Sequence, residues 1–343
     1  MRVASLGLPV RPAGEAPAGG EPRFLKGQLH AHTGASADSR TPPAEAAAWY
    51  ADRAYDFVVF TDHNHVTQVP APAGLLALPG VELTQNLRAC DPAPGPEHAC
   101  LLHVNALFVR PDAGRVDFDR PPSLRRVDLY GRALDRAVAL GGIAQLNHPN
   151  FHFGADLDVI LALARRGLAL IEIENRAIDS ANEGDAAHPS TEALWDAALS
   201  RGARVFGTAS DDAHHYGDAR EVTARGETAY VGDRGFVMVR ARKTPEAIRA
   251  AVAAGDFYGT TGLLLDHLEM GPSAVRVEVR RDGGEPVTIE VIANGSVVER
   301  VVGRTLRFDP ARAPRGYLRV RVTDARGRRA FTQPLFTGGP QAL

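Results

Sequence analysis

Lysine is almost absent from this chain of 343 residues, and cysteine and methionine are also scarce. Of 39 basic residues, only Lys26 and Lys243 are lysines. We attribute the bias towards arginine to codon preference rather than to a binding surface, since 41 acidic residues leave a formal net charge of only −2. The balance is that of an ordinary globular protein.

Long apolar runs are missing as well. No stretch of 18 apolar residues occurs, so we expect no helix that crosses a membrane. The apolar stretch from Val3 to Val10 is broken by Pro9 and lacks the core of a signal peptide. Residues 1–23 are rich in Pro, Gly and Ala and are predicted to form a flexible leader. The cytoplasm is therefore the expected location.

The two cysteines, Cys90 and Cys100, flank a proline-rich loop at residues 91–96. They could close this loop as a disulfide, which would favour an exported protein, or remain free thiols. We expect free thiols.

A pair of histidines one residue apart, His30 and His32, is the first feature that points to chemistry. Side chains alternate between the two faces of a strand, so both imidazoles lie on one face and can bind the same metal ion. Such a pair also occurs by chance or for packing. The pair therefore indicates a metal site only when the rest of the chain supplies further candidate ligands.

Further histidines and carboxylates stand at or near the ends of apolar, strand-like segments. Loops that leave the carboxyl ends of parallel strands converge on one side, so donors distant in sequence can meet there. The nine candidate ligands are His30, His32, Asp38, His63, Glu82, His103, His148, Asp212 and His214. Nine donors are too many for one ion, and a carboxylate-bridged cluster of two or three Zn, Mn or Fe ions would use them all.

Strand-like segments alternate with helical patterns through residues 24–270. Helices are predicted at Pro42–Tyr55, Leu124–Leu140, Asp156–Arg166, Ser190–Arg201 and Thr244–Ala254. This alternation predicts a parallel α/β barrel. In residues 271–343, apolar and charged residues alternate at period two, with turns at residues 282–284 and Asn294-Gly295, which predicts a small antiparallel β-sandwich domain.

The order of these segments and their residue motifs resemble those of the PHP (polymerase and histidinol phosphatase) superfamily of metal-dependent phosphoesterases. The resemblance covers about residues 24–268 and rests on the motifs His-Ala-His at 30–32, Thr-Asp-His at 61–63, Gly-Val-Glu at 80–82, Asn-His-Pro at 147–149 and Ser-Asp-Asp-Ala-His at 210–214. The last motif and the extra C-terminal segment look most like the carbaryl-hydrolase-like branch. The resemblance implies that the barrel is irregular and seven-stranded.

The resemblance also implies how the ligands divide among ions. One ion would be held by His30, His32, Glu82 and Asp212, a second by Glu82, His103 and His148, and a third by Asp38, His63 and His214. Many relatives carry a histidine in the third site where this chain has Asp38, so the occupancy of that site is an open question.

Four further residues are candidates for roles beside the ions. His152 lies in an aromatic loop and Asp211 precedes a ligand, so both are candidates for catalysis, although the alternation of side chains along a strand predicts structural hydrogen bonding for Asp211. Asn175 and Arg176 follow the strand-like residues 170–174 and are candidates for substrate binding. Arg176 could hold a phosphate by two parallel hydrogen bonds or form a structural salt bridge.

The sequence thus predicts a metal-dependent phosphoesterase that hydrolyses a small phosphomonoester or phosphodiester through a metal-bridging hydroxide. The alternative is hydrolysis of a carbamate, amide or carboxylic ester at the same centre, and a third is a non-catalytic metal-binding module. The expected partner is a small-molecule substrate. Neither a membrane nor a nucleic acid is expected, the latter because residues 24–270 are acidic.

Overall fold

A computed structural model of the chain describes residues 19–281 and 286–337. Most of the predicted leader at 1–23 and the predicted turn at 282–284 lie outside the described residues.

The first part of the chain mixes strands and helices. In chain order, its elements are β1 (Arg23–Gln28), α1 (Pro43–Ala51), β2 (Phe57–Phe60), β3 (Leu76–Leu87), β4 (Cys100–Leu107), α2 (Arg126–Ala139), β5 (Ile143–Leu146), a 3₁₀ turn (Phe151–Phe153), α3 (Leu157–Arg165), β6 (Leu170–Asn175), α4 (Thr191–Ser200), β7 (Phe206–Ser210), α5 (Ala219–Ala224), β8 (Phe236–Ala241), α6 (Pro245–Ala254) and β9 (Phe257–Thr260). The five predicted helices are present as α1, α2, α3, α4 and α6.

The second part is built from strands and a short 3₁₀ turn (Pro310–Arg312). Its strands are β10 (Leu265–Met270), β11 (Val275–Val279), β12 (Val287–Ala293), β13 (Ser296–Val302), β14 (Thr305–Phe308), β15 (Gly316–Asp324), β16 (Arg329–Thr332) and β17 (Leu335–Thr337).

Capping residues define the ends of several helices. The side chains of Asp156, Ser190 and Thr244 each accept a backbone N–H of the first turn, in α3, α4 and α6 respectively. Such caps satisfy N–H groups that have no partner within the helix. Gly255 ends α6 with a φ of 74°, a left-handed conformation that glycine adopts without strain.

The prediction of a (β/α) barrel is wrong. The strands form one mixed sheet of 14 strands, in the order β13-β12-β15-β16-β9-β8-β1-β2-β3-β4-β5-β6-β7 with β17 paired to β15, together with a three-stranded sheet β10-β11-β14. Among the strands of the described residues, the parallel pairs are β1–β2, β2–β3, β5–β6 and β6–β7.

Antiparallel pairing is the reason for this difference. Strands β3 and β4 follow one another without a described helix between them and pair antiparallel from Gly80–Leu107 to Leu87–Cys100. Strand β8 lies antiparallel to both β1 and β9. An apolar run reveals a strand but not its direction, so alternation alone could not distinguish these pairs from a parallel barrel.

The predicted separate β-sandwich is also replaced by a different arrangement. The C-terminal strands are antiparallel, as their alternation predicts, but β16 pairs with β9 and so joins β12, β13 and β15 to the main sheet. One hydrophobic cluster contains Tyr50 and Phe60 from the first part together with Val277, Ile289 and Val320 from the second. The two parts therefore share a core.

Both lysines lie in ion pairs that tie loops to the sheet. Lys26 Nζ is 2.6 Å from Asp233 Oδ1 and lies over the rings of Tyr55 and Phe236. Lys243 Nζ is 2.8 Å from Asp56 Oδ1 and also donates to the carbonyl oxygen of Gly74.

Candidate metal centre

The nine predicted ligands converge at one place. Their donor atoms form overlapping groups within which all atoms lie within 4.8 Å of one another. These groups are His32, Asp38, His63 and His214; His30, His32 and Glu82; His30, His148 and Asp212; and Glu82, His103 and His148. Buried histidine and carboxylate groups that could hold a metal ion are therefore present.

The ends of neighbouring strands position these side chains. His30 and His32 follow β1, and Ala31 between them pairs with Ala213, next to Asp212 and His214. His63 follows β2 and pairs with Glu82 of β3. His148 and Asp212 have positive φ angles of 23° and 52°. Positive φ is costly for residues other than glycine and is concentrated at functional sites.

Glu82 lies at the centre of the group. Its Oε1 is 3.3 Å from His30 Nε2 and 3.2 Å from His103 Nδ1. Its Oε2 is 3.4 Å from His32 Nε2 and 2.9 Å from His63 Nδ1. Because the two oxygens face different histidines, this carboxylate can serve two neighbouring ions.

Three buried atoms of the centre have no hydrogen-bond partner among the described residues: His30 Nε2, His32 Nε2 and Glu82 Oε2. Leaving a buried polar atom unpaired costs about 1–3 kcal/mol, and most such atoms in folded proteins are satisfied. Imidazole nitrogen and carboxylate oxygen are ligands for Zn, Mn and Fe ions. The residues present therefore fit a divalent metal cluster.

Hydrogen bonds at the ring nitrogen that does not face Glu82 orient several of the candidate histidine ligands. His30 Nδ1 lies 2.8 Å from Glu172 Oε1, His32 Nδ1 lies 3.0 Å from Ser36 Oγ, and His103 Nε2 lies 2.9 Å from Asn86 Oδ1. Such partners fix the tautomer of a metal-binding histidine and raise its basicity.

Glu172 is a functional residue that sequence reasoning missed. It is fully buried in β6, where it also accepts the backbone N–H of His148 at 2.8 Å. The available signal was an acidic residue between the apolar residues Ile171 and Ile173 of a strand-like segment, since a buried carboxylate needs a partner.

Asp38, His63 and His214, which we call the outer group, lie nearer to solvent than the other candidate ligands. Asp38 Oδ2 is 3.0 Å from His63 Nε2 and 3.4 Å from His214 Nε2, and the Asp38 side chain is about half exposed. The sequence difference at Asp38 therefore still places an oxygen donor beside these two histidines.

Mutual interactions shift the acid–base behaviour of the centre. Burial raises the pKa of Glu82, but the charges of His103, His30 and His63 lower it well below its usual range. Burial lowers the pKa of His63, but Glu82 and Asp38 raise it to about 10. Burial and the neighbouring charge of His214 lower the pKa of His32 to about 4. The carboxylates are thus held in the ionised form that metal binding requires.

The two residues predicted to bind substrate make contacts with protein side chains beside the centre. Asn175 Nδ2 donates to Glu172 Oε2 at 2.9 Å and to Asp212 Oδ2 at 3.2 Å, so it supports a predicted ligand. Arg176 Nη1 pairs with Glu174 Oε1 at 2.7 Å. The structure thus contains the salt bridge that the sequence analysis gave as the alternative to phosphate binding by Arg176.

The side chains of the two predicted catalytic residues contact parts of the protein other than the nine predicted ligands. Asp211 is buried and accepts the backbone N–H groups of Asp233, Arg234 and Gly235. His152 accepts the backbone N–H of Ala99 at 3.2 Å and lines a different cavity.

A cleft of about 300 Å³ opens over the centre. Besides seven of the predicted ligands, it is lined by Phe151, Ala177, Asp179, Ser180, His215 and Tyr230. Tyr230 donates its hydroxyl to Asp179 Oδ2 at 2.9 Å, which links the loops on two sides of the opening. Neither residue was singled out from the sequence.

The prediction that both cysteines are free thiols is wrong as well. Cys90 and Cys100 form a disulfide that closes the connection between β3 and β4.

Within the described part of the chain, no helix has the length and apolar character needed to span a membrane. Compared with known protein families, the sequence matches no family profile, and it matches no curated protein. The resemblance to the PHP superfamily therefore stays a prediction.

Proposed function

We propose that this protein is a metal-dependent hydrolase that acts on a small phosphate ester. The observation that carries the proposal is the convergence of two unpartnered imidazole nitrogens, from His30 and His32, on the carboxylates of Glu82 and Asp212. Two or three divalent ions at such a centre lower the pKa of a coordinated water towards neutrality and stabilise charge on the attacking and leaving oxygens.

The protein side chains hold this centre in a fixed arrangement. Glu82 presents one oxygen to His30 and His103 and the other to His32 and His63. Asp212 Oδ1 lies 3.2 Å from His30 Nε2 and 3.1 Å from His32 Nε2. A rigid, buried donor set favours catalysis because little reorganisation is needed during the reaction.

His215 is suited to interact with a leaving group. Its Nδ1 accepts the backbone N–H of Tyr230 at 3.1 Å, so the proton of the neutral ring resides on Nε2. The residue lines the cleft over the ions. A ring N–H in this position can donate a hydrogen bond to a leaving oxygen.

The cleft favours a small substrate. A volume of about 300 Å³ is at the lower end for small-molecule sites.

One observation favours a second candidate, hydrolysis of a carbamate, amide or carboxylic ester. Among the described residues that line the cleft, none is an arginine or a lysine, and Arg176 is paired with Glu174. A phosphate would have to rely on the ions and histidines for charge neutralisation, whereas a neutral carbonyl group needs less.

An activity panel on protein loaded with manganese or zinc tests both candidates. The substrates are 4-nitrophenyl phosphate, bis(4-nitrophenyl) phosphate, 4-nitrophenyl acetate and an aryl carbamate. We expect phosphate-ester turnover that is abolished by Asp212→Asn and retained by Asp117→Asn, a matched change at an exposed carboxylate. Carbonyl turnover without phosphate turnover would replace the first candidate with the second. Failure to hydrolyse any substrate by protein that binds two or more ions would contradict the hydrolase proposal.

A further inference from the structure

A second cavity, of about 460 Å³, lies on the other side of the 3₁₀ turn from the metal cleft. Phe151 lines the metal cleft, whereas the next two residues, His152 and Phe153, line the second cavity. Residues 93–98, from the loop closed by the disulfide, form another wall. We call this space the Arg126 cavity, after the first residue of α2, which also lines it.

Arg126 is a buried cation without a carboxylate partner. Only 8% of the residue is exposed, and its Nη1 donates to the carbonyl oxygen of Phe153 at 3.0 Å. Its Nε has no hydrogen-bond partner, and no described Asp or Glu pairs with the guanidinium. A buried charge without a counter-ion is costly, and removing this cost is a strong reason to bind an anion.

Flat rings line the Arg126 cavity. The rings of Phe153 and His188 are stacked with centroids 3.7 Å apart, and His98 meets Phe153 edge to face at 5.2 Å. Pro94 and Pro96 also line the cavity. Walls of this kind favour a planar, partly apolar ligand over a fully hydrated ion.

The charge of the cavity indicates a single negative charge on the ligand. Among the described residues that line the cavity, Arg126 is the one arginine or lysine, beside the histidines His98, His152 and His188, while Glu97, also in its wall, opposes the entry of a second negative charge. A carboxylate matches the fork of a guanidinium by two parallel hydrogen bonds. We propose that the Arg126 cavity is a second ligand site, which binds a small aromatic monocarboxylate.

Benzoate is the probe for this site, with benzamide as its neutral analogue. Binding to the metal-loaded full chain is measured by ligand-observed NMR titration. We expect benzoate to bind at least about tenfold more tightly than benzamide, because only benzoate neutralises the guanidinium. This comparison requires no mutation, so it does not depend on the folding of a variant. Equal binding of the two would overturn the proposal.

Three variants locate the bound benzoate. Arg126→Gln should weaken it about tenfold or more, whereas Arg125→Gln, a matched change at the neighbouring exposed arginine, should not. Glu97→Gln should strengthen it, since a repelling charge is removed. Benzoate affinity that is unchanged by Arg126→Gln, or that is lost when only the metal ions are removed, would place the ligand elsewhere and overturn the proposal.

Discussion

Glu82 is the residue on which most of the metal centre depends. Its carboxylate faces imidazoles that follow β1, β2 and β5 and one that lies within β4, and its Oε1 also accepts the side-chain amide of Asn147 at 2.8 Å. His63, in contrast, belongs to the outer group with Asp38 and His214. The two residues should therefore differ in the number of ions that their loss affects.

Replacing Glu82 should harm more than one ion, whereas replacing His63 should affect only one. After loading with manganese or zinc, we expect Glu82→Gln to retain at most about one metal equivalent, and His63→Ala to lose about one equivalent relative to the wild type. Elemental analysis of purified, folded protein provides the measurement. The reverse order would show that the roles of central and outer ligands have been exchanged.

Asp211 and Asp212 are adjacent but should fail in different ways. Burial raises the pKa of Asp211 to about 6, although the N–H groups of Gly235, Arg234 and Asp233 lower it, so at pH 8 it is an ionised acceptor of several hydrogen bonds. An amide cannot accept all of them. We expect Asp211→Asn to reduce the free energy of unfolding by about 2–4 kcal/mol, measured by urea denaturation of metal-free protein at pH 8.

Asp212→Asn is the matched variant for this test, and it should reduce the bound metal instead. If Asp211→Asn kept full stability and metal content but lost activity, Asp211 would have the proton-transfer role that its sequence position allowed.

Site residues could be predicted from the sequence where they follow a strand-like segment. Ligands that follow strands, such as His30, His63 and His148, could be picked out from the ends of apolar segments. Glu82 and His103 instead lie within β3 and β4, which continue to Leu87 and Leu107. Glu172 was missed because it lies within β6, on a fully buried strand where sequence gives no direction to its side chain. Arg176 was placed near the ions, but its charge is engaged by Glu174, a choice of partner that only three-dimensional distances reveal.

At the scale of elements, helices were more predictable than strand pairing. Local signals such as Thr244 before Pro245 and Gly255 after Ala254 mark both ends of α6. The direction of β4 depends instead on how residues 88–99 return the chain beside β3. That information lies in tertiary contacts rather than in local periodicity.

The disulfide should stabilise the connection between β3 and β4. Closing a loop of about ten residues lowers the conformational entropy of the unfolded chain, which raises the free energy of unfolding by about 2–3 kcal/mol. We expect the free energy of unfolding of the double variant Cys90→Ser, Cys100→Ser to be lower by this amount in urea denaturation. Its metal content should be unchanged, because neither cysteine belongs to the groups of candidate ligands. Two titratable thiols in unreduced wild-type protein, with stability equal to the variant, would instead support the free-thiol expectation.

The ion pairs of Asp56 should contribute to stability in a pH-dependent way. Burial raises the pKa of Asp56, but Arg23 and Lys243 lower it below its usual value. Because the pKa is lower in the folded state, the contribution is present above the unfolded value of about 4 and is lost as the pH falls through the folded value.

We therefore expect Asp56→Asn to destabilise metal-free protein more at pH 7 than at pH 3, measured by urea unfolding at both values. Asp117→Asn, at an exposed position, is the control. A destabilisation by Asp56→Asn that is equal at the two pH values would contradict this account.

For the whole molecule, a shared sheet and a shared hydrophobic cluster join the C-terminal strands to the first part of the chain. Arg319 of β15 is fully buried and pairs with both Glu192 and Asp196 of α4, at 2.6 and 2.7 Å. Separating the two parts would expose the edge of β9 and leave these carboxylates without their cation. Periodicity correctly indicated antiparallel strands after residue 270, but it carried no information about what those strands pair with.

A chain that ends at residue 270 should not fold cooperatively. Its hydrophobic cluster would lose the side chains of β11, β12 and β15. Circular dichroism and metal analysis of this fragment, with the full chain as the reference, test the expectation. A cooperative thermal transition together with retained metal binding would show that residues 24–270 form an independent domain.

The engagement of both lysines has a practical consequence for chemical labelling. The side chains of Lys26 and Lys243 are only 19% and 26% exposed, and each amine is held by a carboxylate. Reagents that acylate primary amines, including common cross-linkers and immobilisation supports, will therefore find few reactive side chains on this protein and will disturb the sheet where they do react. Its abundant exposed guanidinium and carboxyl groups are the better handles for attaching it to a surface or a probe.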